Sequence, residues 1–269
     1  MKIRPLSIYA FLYLAFLYVP VLFLPIFSFN DSAIVAFPIQ GLTTRWYENL
    51  WANDVMQGAL WNSLRVAVAC SVIATILGIC GARALTRYHF PGKGGMAALI
   101  MLPLVLPEII IAISLLVVLL QLGFNLSLIS VTLGHILMAV PFSIAVLSSS
   151  FEGFDRSLEE ASLDLGEGPA VTFFRVTLPI VAPGILSSLL VTFTISLDEF
   201  IVAFFLSGTE PTLPIYIWSQ LRFTAKLPDV LALGSLLLLA SVVLLSVAEV
   251  MRRRAAKRAG ADPASGGFL

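Results

Sequence analysis

Six long apolar runs, separated by short polar stretches, set the reading of this chain: residues 6–29, 62–84, 96–122, 128–151, 182–207 and 230–248. Each approaches or exceeds the roughly 20 residues that an α-helix needs to cross a bilayer. A cleaved leader would have a shorter apolar core and a small-x-small cleavage site. The first run instead ends in Phe27-Ser28-Phe29-Asn30, so it is read as an uncleaved first span. The pattern predicts an all-α membrane protein with six transmembrane helices. Six crossings put both termini on one side, taken as the cytoplasm. Residues 30–60 read as an external loop with a short helix near 44–51, whose Trp46, Tyr47 and Trp51 suit the headgroup level. Pro103 and Pro107 interrupt the third run just before Glu108 and predict a kink there.

One long stretch breaks the apolar pattern. Residues 155–179 form an acidic amphipathic elbow between the fourth and fifth spans. Ser157-Leu158-Glu159-Glu160 fits a capping box. Leu158, Ala161 and Leu165 recur as one apolar stripe, with Glu159, Asp164 and Glu167 off it. Gly166 suits a helix end because glycine takes positive φ without a Cβ penalty. Gly168-Pro169 starts a second short helix, which Leu178-Pro179 is expected to end. An ordinary helical loop is the plain reading of such a segment.

Composition agrees with a membrane protein: 59% of residues are hydrophobic and 12% charged, with a mean hydropathy of +0.98. A soluble domain carries about 25% charged residues. Net charge is zero, which gives no footing for a nucleic-acid partner. Charge placement then orients the spans. Twelve of the sixteen Lys and Arg fall in segments assigned to the cytoplasm; Arg45, Arg65, Arg222 and Lys226 fall outside. The elbow is thereby cytoplasmic, and a basic tail, 252–269, follows a transmembrane domain of residues 1–251; its Gly, Ser and Pro content predicts disorder. Cys70, Cys80, His89 and His135 have no metal-like spacing, so no metal site is expected. No GxxxxGK[ST] loop occurs: Gly92-Lys93 is followed by Gly94. Any ATP hydrolysis must come from a partner.

The spacing inside the elbow is more specific than its composition. Glu160-Ala161-Ser162, three residues, Gly166, nine residues and then Val176-x-Leu178-Pro179 resembles the EAA loop of ABC-importer permeases, with Ser162 in place of the usual Ala. The resemblance implies a coupling helix that sits in a cleft of an ATP-hydrolysing subunit, with Glu159, Glu160, Ala161, Ser162, Asp164, Leu165 and Gly166 as docking residues. Further stretches are similar to the spermidine/putrescine branch, in particular its C-type permease: residues 27–32, Trp46-Tyr47, residues 62–64, Arg87-Tyr88, Gly92-Lys93, residues 106–108 and 196–200. This implies an inner-membrane, multi-pass permease subunit without enzymatic activity. It also implies a second permease subunit, two ATP-binding subunits that hold ATP and Mg, and an external substrate-binding protein.

The acids in the spans fit that reading. An ionised carboxylate at membrane depth costs about 2.5–3.5 kcal/mol on insertion scales, so it normally faces a bundle interior or a watery path. Glu108, Asp198 and Glu199, with the aromatic Phe200 and Phe204, are therefore candidates to line a path for a small organic cation, and the resemblance favours a polyamine. The plain alternative makes them helix-end acids paired with Arg65 or Arg222. Adjacent helical residues point about 100° apart. One of Asp198 and Glu199 should thus face the path, the resemblance favouring Asp198, while the other packs on a partner or caps a break. Competing functions are an importer of another solute (an opine, another amine, ferric ion or an organic acid), a stand-alone secondary transporter, and an intramembrane enzyme. The second would show an internal repeat and the third a Ser/His, His/Asp or metal constellation at membrane depth; the sequence shows neither.

Overall fold

The computed structural model describes residues 5–258. In chain order its helices are α1 (Pro5–Ser28), α2 (Arg45–Trp51), α3 (Asp54–Arg87), α4 (Lys93–Met101), α5 (Glu108–Gln121), α6 (Leu128–Glu152), α7 (Ser157–Asp164), α8 (Pro169–Thr172), α9 (Leu178–Asp198), α10 (Ile201–Leu206), α11 (Leu213–Gln220) and α12 (Leu227–Arg258). Five stretches are long and apolar enough to cross a membrane, and the bent pair Lys93–Leu104 and Glu108–Gln121 makes a sixth crossing if counted as one. The expected six-span, all-α architecture therefore holds. The kink expected at Pro103 and Pro107 is a 102° bend, far sharper than a proline kink alone requires.

The chain divides into two compact units, one formed by its two ends up to Asp54 and from Ile217, the other by Val55–Tyr216. In the first, α1 and α2 pack against α12. Trp46 is buried, and its indole N–H donates to the Asn30 carbonyl at 2.9 Å. The Arg45 guanidinium covers the Trp46 ring at 4.4 Å and pairs with Asp31 at 3.0 Å. Phe29 and Asn30 thus anchor the loop, because indole needs a partner when buried. The sixth span runs on as helix to Arg258, past the expected boundary at 251. Residues 259–269 of the expected tail lie outside the described residues, as do Lys2 and Arg4.

In the second unit α6 and α9 make the most extensive pairing. Lipid supplies no hydrophobic force between spans, so close packing relies on small residues and buried hydroxyls. Both occur here. Cys70, Ala74 and Ala139 are fully buried together, whereas Cys80 is exposed. Ser188 bonds Ser143 at 2.7 Å and Thr75 at 3.1 Å, and His135 Nδ1 meets the Ser196 hydroxyl at 2.7 Å. The short α10 packs on α5 and α6 through Val202, Ala203 and Leu206. Where the chain leaves helical form after α10, side chains take over the backbone bonds. Ser63 Oγ accepts from the Leu213 amide at 2.8 Å, and Asn62 Nδ2 donates to the Pro211 carbonyl at 3.1 Å.

Close packing makes a specific prediction. A Cβ on Gly78 would overlap the Ser143 hydroxyl and sit 2.7 Å from the Ser143 Cβ, whereas one on Gly58 meets nothing within 4 Å. Gly78→Ala should destabilise the purified protein by about 1–3 kcal/mol, the range for overpacking. Gly58→Ala should be neutral or stabilising by about 0.5–1 kcal/mol. Thermal melting of the two variants in detergent compares them; an equal Tm for both would contradict the packing.

Candidate functional site

The elbow is built around its own entry and exit. Asp155 Oδ1 accepts from the Ser157 amide at 3.0 Å, and Arg156 occupies the N-cap. The capping box expected from Ser157 and Glu160 is therefore not formed; Ser157 lies one residue inside the helix and its amide is already held by Asp155. That amide also keeps the Asp155 carboxyl below the usual carboxylate range. At the other end Gly166 has φ +89°, its amide bonds the Leu163 carbonyl, and the Glu167 amide bonds the Ser162 carbonyl. This is a Schellman termination, which uses positive φ to satisfy the last carbonyls of a helix. Leu178-Pro179 does not end the next helix. A π-turn, Phe173–Thr177, joins α8 to α9, and Pro179 falls in the first turn of α9, where a missing N–H costs little.

The faces of α7 are distinct. No α7 residue is fully buried, and Leu158, Glu160, Ala161, Leu163 and Asp164 are exposed, as is Leu165, at 86%, just after the helix. The predicted apolar stripe is thus presented outward. Glu159 turns the other way, toward the ends of the spans. Its side chain is 16% exposed; it accepts from Thr177 Oγ1 at 2.5 Å and pairs with Arg83 at 3.7 Å and Arg87 at 4.0 Å. Ser162 is also turned in, bonded to the Thr172 hydroxyl at 2.9 Å. The guanidinium of Arg83 lies over Phe173 at 4.4 Å and that of Arg87 over Phe154 at 4.9 Å. The sequence signal missed here was Arg83 and Arg87 at i, i+4, one face of a helix end.

The second site lies at two helix breaks. Pro107 has φ −57° and ψ 128°, so α5 starts afresh at Glu108. The fifth span also breaks: α9 ends at Asp198 and Glu199 is extended, with φ −70° and ψ 116°. Glu199 Oε1 accepts from the Val202 amide at 3.0 Å and so caps the break. Ile111 and Ala112, one turn past Glu108, pack in one buried cluster with Val202 and Ala203, one turn past Glu199. The structure therefore packs the two breaks, with their three acids, against each other through α5 and α10. None of them forms an ion pair among the described residues, so pairing with Arg65 or Arg222 is not found. Phe200 and Phe204 flank the acids, with ring centroids 5.6 Å apart and Phe204 exposed. Placement also separates their roles. A carboxylate in the first turn of a helix, as at Glu108, is favoured by the helix dipole, and one at the last turn, as at Asp198, is disfavoured. Glu199 has a structural task and Glu108 a favourable site. Exposed Asp198 has neither. Among the described residues no group of three potential ligands could hold a metal ion.

Six apolar crossings, two of them broken beside carboxylates, and a polar elbow turned outward define a polytopic helical permease subunit. The chain belongs to the family of binding-protein-dependent transport system inner membrane components, whose pattern matches residues 74–259. It is 36% identical to the putrescine transport system permease protein PotI of Escherichia coli (strain K12), over 87% of this chain and 85% of that one. It is 34% identical to the spermidine/putrescine transport system permease protein PotC of Shigella flexneri, over 95% of both chains. Among solved structures it resembles a bacterial ABC transporter involved in the import of the acidic polysaccharide alginate. The TM-score is 0.72 and the identity 16%, over 92% of this chain and 94% of that one, a likeness of fold. Membership makes this an inner-membrane permease subunit of an ABC importer, not an enzyme.

The elbow's termination can be tested by itself. Gly166→Val forces a β-branched residue into positive φ, at a cost of about 1–2 kcal/mol. Gly168, with φ −77° and open space around its Cα, should accept valine without strain. Limited proteolysis of membranes should cut the elbow faster in Gly166→Val than in Gly168→Val; equal rates would refute the cap.

Proposed function

We propose that this chain is one of two permease subunits of a polyamine importer. It docks an ATP-binding subunit through the outward face of α7 and passes its cargo beside Glu108 and Asp198. A second permease subunit, two ATP-binding subunits that hold ATP and Mg, and an external substrate-binding protein complete the assembly, with the elbow on the cytoplasmic side. The observation that carries the cargo assignment is the convergence of three carboxylates at two helix breaks. Asp198 lies there against the dipole of its own helix, a placement with no structural benefit. Carboxylates in a site of low dielectric attract ammonium groups strongly. The rings of half-buried Phe200 and exposed Phe204 add attraction for a cation of about 0.5–2 kcal/mol when desolvated. The names of the PotI and PotC relatives point to the same cargo class. The fold itself does not choose a substrate, since the alginate importer shares it.

The docking face opposite Glu159 and Ser162 carries Glu160, Ala161 and Asp164, and the exposed Leu158, Leu163 and Leu165 lie around it. Closure of the ATP-binding subunits would push this elbow and rock the spans between inward-open and outward-open states.

Two measurements test the two halves separately. Leu165→Asp and Glu160→Lys should leave the protein in the membrane but release the ATP-binding subunits on purification. Retention of those subunits by both variants would remove the docking assignment. In vesicles, Asp198→Asn should lower uptake of labelled putrescine or spermidine at least about ten-fold, as expected for the loss of one partner of a desolvated charge pair. Glu199→Gln should lower it less, because its amide oxygen still accepts from Val202. Undiminished uptake by Asp198→Asn would sink the cation reading and leave the docking assignment in place.

A further inference from the structure

The inward side of the elbow carries the strongest unassigned chemistry in the described chain. Glu159 is the residue of α7 that reaches back to the spans. Its carboxylate touches Arg83 and Arg87 at the end of α3 and Thr177 in the π-turn that leads into α9. Arg87 is itself 9% exposed in its side chain, and its Nη2 donates to the Phe154 carbonyl at 3.5 Å. Arg156, at the entry of α7, donates to the Thr86 carbonyl at 3.0 Å. One carboxylate thus ties together three segments of the same unit: the second span, the elbow and the start of the fifth span.

We propose that Glu159 is the positioning residue that makes the elbow and the ends of α3 and α9 move as one lever, so that force applied to the docking face reaches the spans. The proposal rests on the docking assignment of the outward face. Three features support it. First, the clasp is the main polar link between α7 and α3: the other faces of α7 are exposed, and Ser162 holds only the adjacent α8. Second, the charges are largely desolvated, and breaking such a pair is strongly destabilising because it leaves a charge uncompensated. A lever joint of this kind resists being opened. Third, the joint ends on a π-turn, a helical irregularity that recurs at functional sites and can absorb a change of phase. Push on α7 is then delivered to α3 through two guanidinium groups and to α9 through Thr177, rather than dissipated in loop bending. Without the clasp, α7 is held by its short linkers, residues 153–156 and 165–168, by the Ser162–Thr172 bond and by Arg156 on the Thr86 carbonyl.

The test uses the complete complex reconstituted in vesicles with its ATP-binding subunits and binding protein. The variants are Glu159→Gln and the fully neutral set Glu159→Gln, Arg83→Gln and Arg87→Gln, which leaves no charge unpaired. Both should accumulate in the membrane and retain the ATP-binding subunits, since Glu160 and Leu165 are untouched. Both should keep hydrolysing ATP, while the amount of substrate moved per ATP falls at least about five-fold, the lower end of a typical coupling between sites. Arg83→Gln alone, the milder change, should lower that ratio by a smaller factor. A merely structural role would reduce the amount of complex and both activities together, without changing the ratio. An unchanged ratio with the ATP-binding subunits bound overturns the proposal. Release of those subunits by Glu159→Gln at normal membrane levels also overturns it, since Glu159 would then be a docking contact. Failure of the docking reading has a different signature: Leu165→Asp retaining its ATP-binding subunits.

Discussion

A backbone amide or carbonyl inside a bilayer has no water to bond, and each one left unsatisfied costs several kcal/mol. In the unit formed by Val55–Tyr216, several departures from helix are answered by side chains. Glu199 caps the start of α10 through the Val202 amide. Ser63 and Asn62 hold the segment that leaves α10 through Leu213 and Pro211. Ser130 lies 2.8 Å from the Leu206 carbonyl, a bond its hydroxyl can donate. Irregular backbone at membrane depth is tolerated where it lines a cavity or is buried in protein. That constraint places the irregularities and the carboxylates in the same part of the unit, because the group that satisfies a broken helix is also a polar group.

The packing around these breaks follows from the same solvent. Apolar burial gives little advantage between spans, so van der Waals fit and buried hydroxyls do the holding. Gly78 and Gly81 receive Ser143 and Ile144, and Gly184 receives Ser150, closing α3 and α9 onto α6. The Ser188 and Ser196 hydroxyls then tie α9 to α3 and α6 at two levels. A core built this way has few loose degrees of freedom, so a displacement at its edge is carried as a rigid-body shift rather than absorbed locally. The elbow is attached at that edge.

Two opposed faces give the elbow its character. Outward lie Leu158, Leu163 and Leu165 with Glu160 and Asp164; inward lie Glu159 and Ser162. The exposed Leu158, Leu163 and Leu165 present hydrophobic surface to water, a cost that a docked partner removes. The inner face fixes the orientation of that surface. Arg83 and Arg87 each combine a carboxylate partner with an aromatic face, Phe173 and Phe154, which suits the planar, weakly hydrated guanidinium better than lysine.

The sequence by itself determined the number of crossings, the helical class, the elbow and its glycine end, because hydrophobic run length and positive φ are local properties. The candidate residues of both sites were legible in it, since a carboxylate in an apolar run and the spacing from Glu160 to Pro179 stand out without any fold. Tertiary structure decided which way those residues point. Glu159 and Glu160 are neighbours in sequence, yet one is held inside by Arg83, Arg87 and Thr177 and the other faces out. The capping box at Ser157 failed because Asp155 reached its amide first, and the helix expected to stop at Pro179 continued because a π-turn reset its phase. Trp46 is buried on the Asn30 carbonyl, which is within reach of its indole only in the folded loop. The meeting of the breaks at Pro107 and Glu199 depends on α10 packing onto α5, a contact between residues far apart in the chain. Competition among partners for the same donor or charge is settled only when distant segments meet, and a linear pattern does not contain its outcome.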